Sequence, residues 1–304
     1  MIRSATYSAI LLLVIGNLAA SLSDVAVKLL NGEVSTFQYI FIRQLLSTIV
    51  IAPFWLRQSK DKRSLISPKL NLLRAHLIII GSGCMVVAIT HLTLATANAV
   101  FYAAPLVMLP LSALLLKEKP NTRRVAATLF GFVGVMVVLR PSEFHWAAIF
   151  ALGTTLTLAL FNITARKLPA KQSVISTLFW TSLLSLPVSA LLAALHWSPI
   201  SLNKVMLILG SAGLILAYNG LAVMAYQRAP ANNIAIAENS GLVFVALFGV
   251  VWFNEVPDWL TALGIAMIVL PLMPWKVLID GMKRNSSYLL RPKPPSDSRK
   301  NITD

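Results

Sequence analysis

The sequence predicts an all-α polytopic membrane protein whose ten transmembrane helices form two inverted five-helix repeats. Three observations carry that prediction: an apolar composition, apolar runs of membrane-crossing length, and a long-range internal match. Hydrophobic residues make up 57% of the 304 and charged residues 12%, with a mean hydropathy of +0.75. Soluble domains average about 45–50% apolar and about 25% charged. A hydrocarbon core of about 30 Å takes roughly twenty apolar residues to cross as a helix. Helices are required because lipid offers backbone amides no partner, and no stretch alternates like a barrel strand.

Polar punctuation divides the chain into spans at about 7–30, 34–56, 73–92, 95–116, 122–140, 146–166, 172–195, 204–226, 230–253 and 257–279. The first contains Asp24 and Lys28 and stops before Gly32. Its start resembles a signal peptide, with Arg3 ahead of an apolar region and "AAS" at 19–21. The run continues to Leu30 and has a later counterpart, so it is read as a span. The second carries Arg43, and the third follows Pro68 and holds Cys84. Asn98 and Tyr102 lie in the fourth, which ends before Pro120; the fifth stops at Pro141. The sixth bears Asn162, and Pro169 and Pro199 flank the seventh. Tyr218 and Asn219 fall in the eighth, Glu238 and Asn239 in the ninth, and Pro257 opens the tenth. Tryptophans 55, 146, 197, 252 and 259 sit at span ends, as an interfacial belt does.

The net charge of +15 would suggest nucleic acid in a soluble protein. Here the basic residues lie in alternate loops and set topology. With the N-terminus inside, the inner segments hold Arg57, Lys60, Lys62, Arg63, Lys69, Arg74, Lys117, Lys119, Arg123, Arg124, Arg166, Lys167, Lys171, Arg228 and most of the tail's charge. The outer segments carry only Arg140 and Lys204. This predicts a plasma (inner) membrane protein with both termini cytoplasmic and no nucleic-acid partner. A lone cysteine excludes a disulfide framework. Histidines at 76, 91, 145 and 196 show no metal-ligand spacing, so neither metal nor cofactor is expected.

"SDVAVKLL" at 23–30 aligns with "FNITARKL" at 161–168, placing Asp24 on Asn162 and Lys28 on Arg166. "FIRQLLS" at 41–47 aligns with "FWTSLLS" at 179–185, and "KEKP" at 117–120 with "NEVP" at 254–257. The three matches share one register to within a residue. Five spans per copy is an odd number, so the second copy enters the membrane from the opposite side. The expected units are 1–141, 142–279 and a basic, Pro/Ser-rich tail at 280–304. Inverted repeats of this kind characterise secondary transporters, with the solute site near the midplane.

The stretches "LPLSALLLKEKPNTRRVAATLFGFVGVMVVLRP" at 109–141 and "LFGVVWFNEVPDWLTALGIAMIVL" at 247–270, with "FQYIFIRQLLSTIVIAPF" at 37–54, resemble the drug/metabolite transporter superfamily, EamA type. The resemblance covers about 7–275. It implies a ten-helix carrier of small metabolites. "SDVAVKLL", "FIRQLLSTIVIAPF", "VISTLFW" and "FNEVPD" are most similar to the S-adenosylmethionine-carrier branch, and riboflavin and amino-acid-metabolite carriers share much of the pattern.

A charge in mid-bilayer costs at least about 2.5–3.5 kcal/mol, so such residues face a bundle interior or water. Asp24 and Lys28, spaced i and i+4, can pair on one face, with Lys28 also able to snorkel outward. Arg43 sits near mid-depth and needs an anionic partner, for which Asp24 and Glu238 are available. Glu238 has no basic residue in reach on its own span and is the expected proton-coupling group; Asn239 adjoins it. Gly241 would let helices approach closely. Asn98, Tyr102, Asn162, Tyr218 and Asn219 complete the candidate solute site, although each alone reads as readily as an interhelical hydrogen bond. Glu118 and Glu255 are read as loop acids outside the site. The partners expected are a small-molecule solute and the lipid bilayer, with the oligomeric state open between monomer and homodimer. An intramembrane enzyme lacks any "HExxH", "GxSxG" or Gly-rich phosphate loop. A channel lacks a ring of like charges or a filter segment.

Overall fold

The structure, a computed structural model, describes residues 2–117, 121–140, 145–169, 171–229, 237 and 239–272. Among them all regular structure is helical: α1 (Ile2–Leu29), α2 (Thr36–Leu56), the short α3 (Lys60–Arg63), α4 (Pro68–His91), α5 (Leu94–Phe101), α6 (Ala104–Leu115), α7 (Thr122–Leu139), α8 (Ala147–Ala165), α9 (Val174–Leu195), α10 (Leu202–Arg228), α11 (Ser240–Phe253), α12 (Trp259–Val269) and a 3₁₀ turn, Leu270–Leu272. Seven segments are long and apolar enough to cross a membrane, α5 and α6 counting as one; Arg124–Leu139, Ser240–Phe253 and Trp259–Val269 are shorter apolar helices.

The burial pattern is that of a membrane bundle. Leu114, Leu195 and Val243 are largely exposed, as lipid-facing side chains are. Gln38, Asn71, Ser176, Ser185 and Ser211 are fully buried, each hydrogen-bonded to another element. Ser211 accepts or donates at 2.7 Å with Ser23 and 2.9 Å with Tyr39, tying α10 to α1 and α2. Gln44 donates to Ser185 at 2.9 Å between α2 and α9. Lipid tails give helices little hydrophobic reason to associate, so such bonds and small-residue contacts take over.

Two crossings show the small-residue device. On α4 and α8, a Cβ at Gly81 would meet Thr157 Oγ1 at 2.6 Å, and one at Gly153 would meet Cys84 Sγ at 3.0 Å. On α7 and α12, a Cβ at Gly134 would lie 2.9 Å from Gly264 O, and one at Gly264 would lie 2.8 Å from Gly134 O. The principal packing pairs are α1 on α10, α2 on α9, α4 on α8 and α7 on α12, with α1 also on α11 and α6 on α8.

The helices start and stop where the chain's chemistry directs, with several departures from expectation. α4 begins at Pro68, at the first helical position where proline's missing N–H costs nothing. The helix thus starts about a turn and a half before the expected span at 73–92, and Arg74 lies inside it rather than at its edge. The fourth span breaks at Tyr102–Ala103, and Pro105 in the first turn of α6 lacks the N–H that would have bonded back across the break. α10 runs to Arg228, two residues beyond the expected end. We call the end where α1 begins and α2 stops the basic end, since Arg57, Lys60, Lys62, Arg63 and Lys171 cluster in its loops. The other is the opposite end.

Candidate functional site

A cavity of about 330 Å³ lies between α2, α4, α8, α9 and α10, lined by Arg43, Ser82, Phe161, Ser182, Tyr218 and Asn219 among others. Three expected site residues therefore meet at one space. Arg43 reaches it from α2 and donates to Ser82 Oγ on α4 at 3.4 Å. Tyr218 is held where α10 crosses α1, its ring 3.3 Å from where a Cβ on Gly16 would stand. Asp24 is half-buried, with the Asn98 side chain and the Arg43 charge as the polar groups acting on it. Arg43 is thus the cavity-lining charge that faces the side of the bundle where Asp24 stands on α1. Asn98 is buried on α5 and its amide also donates to Leu94 O at 3.2 Å.

Tyr102 and Asn239 lie beside this group. The Tyr102 hydroxyl occupies the space a Cβ on Gly241 would need, so the glycine allows α11 to close on the break in the fourth span. Asn17, 3% exposed, donates to Ala237 O at 2.7 Å and Ser240 Oγ at 3.1 Å, and Ser21 donates to Gly241 O at 3.3 Å. Asn239 is half-buried at the start of α11. Glu238, the expected proton-coupling residue, lies outside the described residues. Asn162 is exposed on α8 and does not line the cavity. Its neighbour Phe161 does.

Lys28 departs furthest from expectation. It does not pair with Asp24; its ammonium forms an ion pair with Glu255, in the loop between α11 and α12. It also donates to Leu92 O at 2.6 Å and lies 5.4 Å from the Phe253 ring centroid. Glu255 Oε2 in turn accepts from Leu94 N at 2.8 Å. The reason is visible in the backbone. α4 ends at His91 and α5 begins at Leu94, so one helix offers an unpaired carbonyl and the next an unpaired amide. A cation suits the first and an anion the second. The pair caps both.

Two charged side chains outside the expected site are engaged in the bundle. Glu255, read as a loop acid, folds back onto Leu94, 161 positions away. Arg74, counted with the inner basic residues at the very start of the expected third span, is 3% exposed on α4. Pro68 as a first-turn residue was the available signal.

The EamA-like transporter family profile matches the chain twice, over residues 7–140 and 145–273. The chain belongs to the EamA-like transporter family. It is a multi-pass membrane transporter, not an enzyme. Among its relatives are an S-adenosylmethionine uptake transporter of Rickettsia prowazekii, 29% identical over 256 residues (83% of this chain, 86% of that one). A riboflavin transporter of Vibrio cholerae is 28% identical, covering 80% and 85%. A pseudopaline exporter of Pseudomonas aeruginosa is 25% identical, covering 88% and 96%. One solved crystal structure shares the fold at a TM-score of 0.55 and 18% identity, covering 92% of this chain and 97% of that one.

Proposed function

We propose that this EamA-like transporter is a secondary carrier for a small amphoteric metabolite of the S-adenosylmethionine type, working by alternating access between two inverted five-span repeats. The observation that carries the reading is the cavity itself, with Arg43, Tyr218 and Asn219 on its wall. A cationic wall in a membrane bundle, with the acid Asp24 on the neighbouring α1, suits a cargo with a carboxylate and an ammonium. Tyr218 adds a flat face for an aromatic or cationic part. The packing pairs support the inverted repeat. Exchanging the first five spans for the second turns α1 on α10 into α8 on α4, and α1 on α11 into α8 on α6. It leaves α2 on α9 and α7 on α12 unchanged. In this reading the basic end is cytoplasmic, following the lysine and arginine bias, and Glu238 carries a coupled proton.

The test is counterflow of labelled S-adenosylmethionine into proteoliposomes, with and without a pH gradient. Saturable exchange that Arg43→Gln slows at least tenfold, roughly the worth of one charge-assisted contact, supports the reading. Unsaturable flux would point to a pore, and absence of flux would remove S-adenosylmethionine as cargo. Glu238→Gln should abolish the response to the pH gradient.

A further inference from the structure

Arg74 is a buried cation with no acid beside it among the described residues. Its Nη1 donates to Phe161 O at 2.6 Å and Thr164 Oγ1 at 3.2 Å, near the end of α8. Its guanidinium carbon lies 3.7 Å from the Phe161 ring centroid. Nε finds no partner among the described residues. The described carboxylates are engaged or remote. Glu33, Glu255 and Asp258 are in ion pairs elsewhere, Asp24 faces Asn98 and Arg43, and Asp61 is exposed in a loop. An uncompensated buried charge is costly, and ionisable groups within a membrane bundle are retained chiefly for function. A clamp on the end of α8 would use only the donors already engaged.

Phe161 is the connection. It lines the cavity, and its ring carries Arg74. At the far wall stands Arg43, bonded to Ser82, which lies eight residues along α4 from Arg74. At 1.5 Å per residue that is about 12 Å along the helix axis. The two arginines thus stand at two depths, Arg43 on the cavity wall and Arg74 against a ring that lines it.

We propose that Arg74 is a second station for the cargo's carboxylate, receiving it from Arg43 at the basic end when Phe161 turns aside. The inference rests on the reading of the cavity as the cargo site and adds that the cargo must carry a carboxylate.

Purified protein is tested by thermal shift with two ligand pairs: S-adenosylmethionine with its decarboxylated form, and methionine with 3-methylthiopropylamine. The wild type should prefer the carboxylated member of a pair about tenfold or more, and Arg74→Gln should cut that ratio about tenfold while the amines bind as before, as expected for one charge-assisted contact. Arg74→Lys should keep part of the preference. Phe161→Ala, which keeps the arginine, should raise it. A helix clamp alone would lower stability without moving the ratio. No carboxylate preference in the wild type, or a ratio unchanged in both Arg74→Gln and Phe161→Ala, overturns the proposal. Tight binding of S-adenosylmethionine without carboxylate preference defeats it and spares the cargo reading. Discrimination through Arg74 in the methionine pair alone does the reverse.

Discussion

The two ends of the bundle are closed by different chemistry. Among the described residues three ion pairs, Lys28–Glu255, Glu33–Lys204 and Arg140–Asp258, lie at the opposite end, and each joins a residue of 1–141 to one of 142–279. At the basic end Arg63 and Arg74 lie against the rings of Trp55 and Phe161, and the other described contacts are between neutral groups. Asn71 and Gln172 exchange bonds at 3.4 and 3.1 Å, and Ser173 and Ser176 donate to Gln58 at 2.8 and 2.9 Å. Trp180 donates to Arg63 O at 2.9 Å, and Trp55 stacks on Phe179 with centroids 4.2 Å apart. The basic loops carry like charges that would repel across any contact, so the closing groups there are amides, hydroxyls and rings. The opposite end has few charges and uses them in pairs.

The contrast can be broken by mutation. The largest effect is expected from Glu255→Gln. It strands Lys28, whose side chain is 11% exposed, and should cost about 2–3 kcal/mol in thermal unfolding. Lys28→Met added to it should recover most of the loss, because no cation then remains unpaired. Gln172→Leu comes next, at about 1–2 kcal/mol, since the fully buried Asn71 loses the donor to its Oδ1 and keeps only its bond to Ser67 O. That cost should not change between low and high salt. If it did, the basic end would also depend on charge, and the comparison would fail.

Lys204→Met should shift stability by about 0.5 kcal/mol or less, because Glu33 is 58% exposed and salt already screens the pair. Asp258→Asn should have the smallest effect. In the loop ahead of α12, Asp258 is held below the usual carboxylate value of 3.8, first by the Thr261 hydroxyl and amide, then by Arg140. A depressed folded-state value means its contribution is present above pH 3.8 and lost as pH falls through the lower folded value. The Tm difference from Asp258→Asn should therefore persist at neutral pH and vanish in acid.

Most of the helices were legible because lipid leaves few alternatives to an apolar run of twenty residues. Arg43, Tyr218 and Asn219 were legible as polar residues too deep in such runs to reach water. Lys28 was half legible. Its own helix offers Asp24 at the right spacing, but the winning partner sits where two helix ends expose a carbonyl and an amide, which no spacing reveals. Asn162 shows the limit of repeat matching. It occupies the position of Asp24, yet α8 turns it outward while Phe161 beside it faces the cavity. Glu238 drew the strongest expectation and lies outside the described residues.

At Gly134 and Gly264 the backbones of α7 and α12 approach so closely that a Cβ on either would stand within 3.0 Å of the other's carbonyl oxygen, with Met267 and Val138 packed against them. Such a joint has little room to shorten. A see-saw with a fixed fulcrum trades height at one arm for height at the other, and a bundle hung on this joint would narrow one mouth only by widening its counterpart.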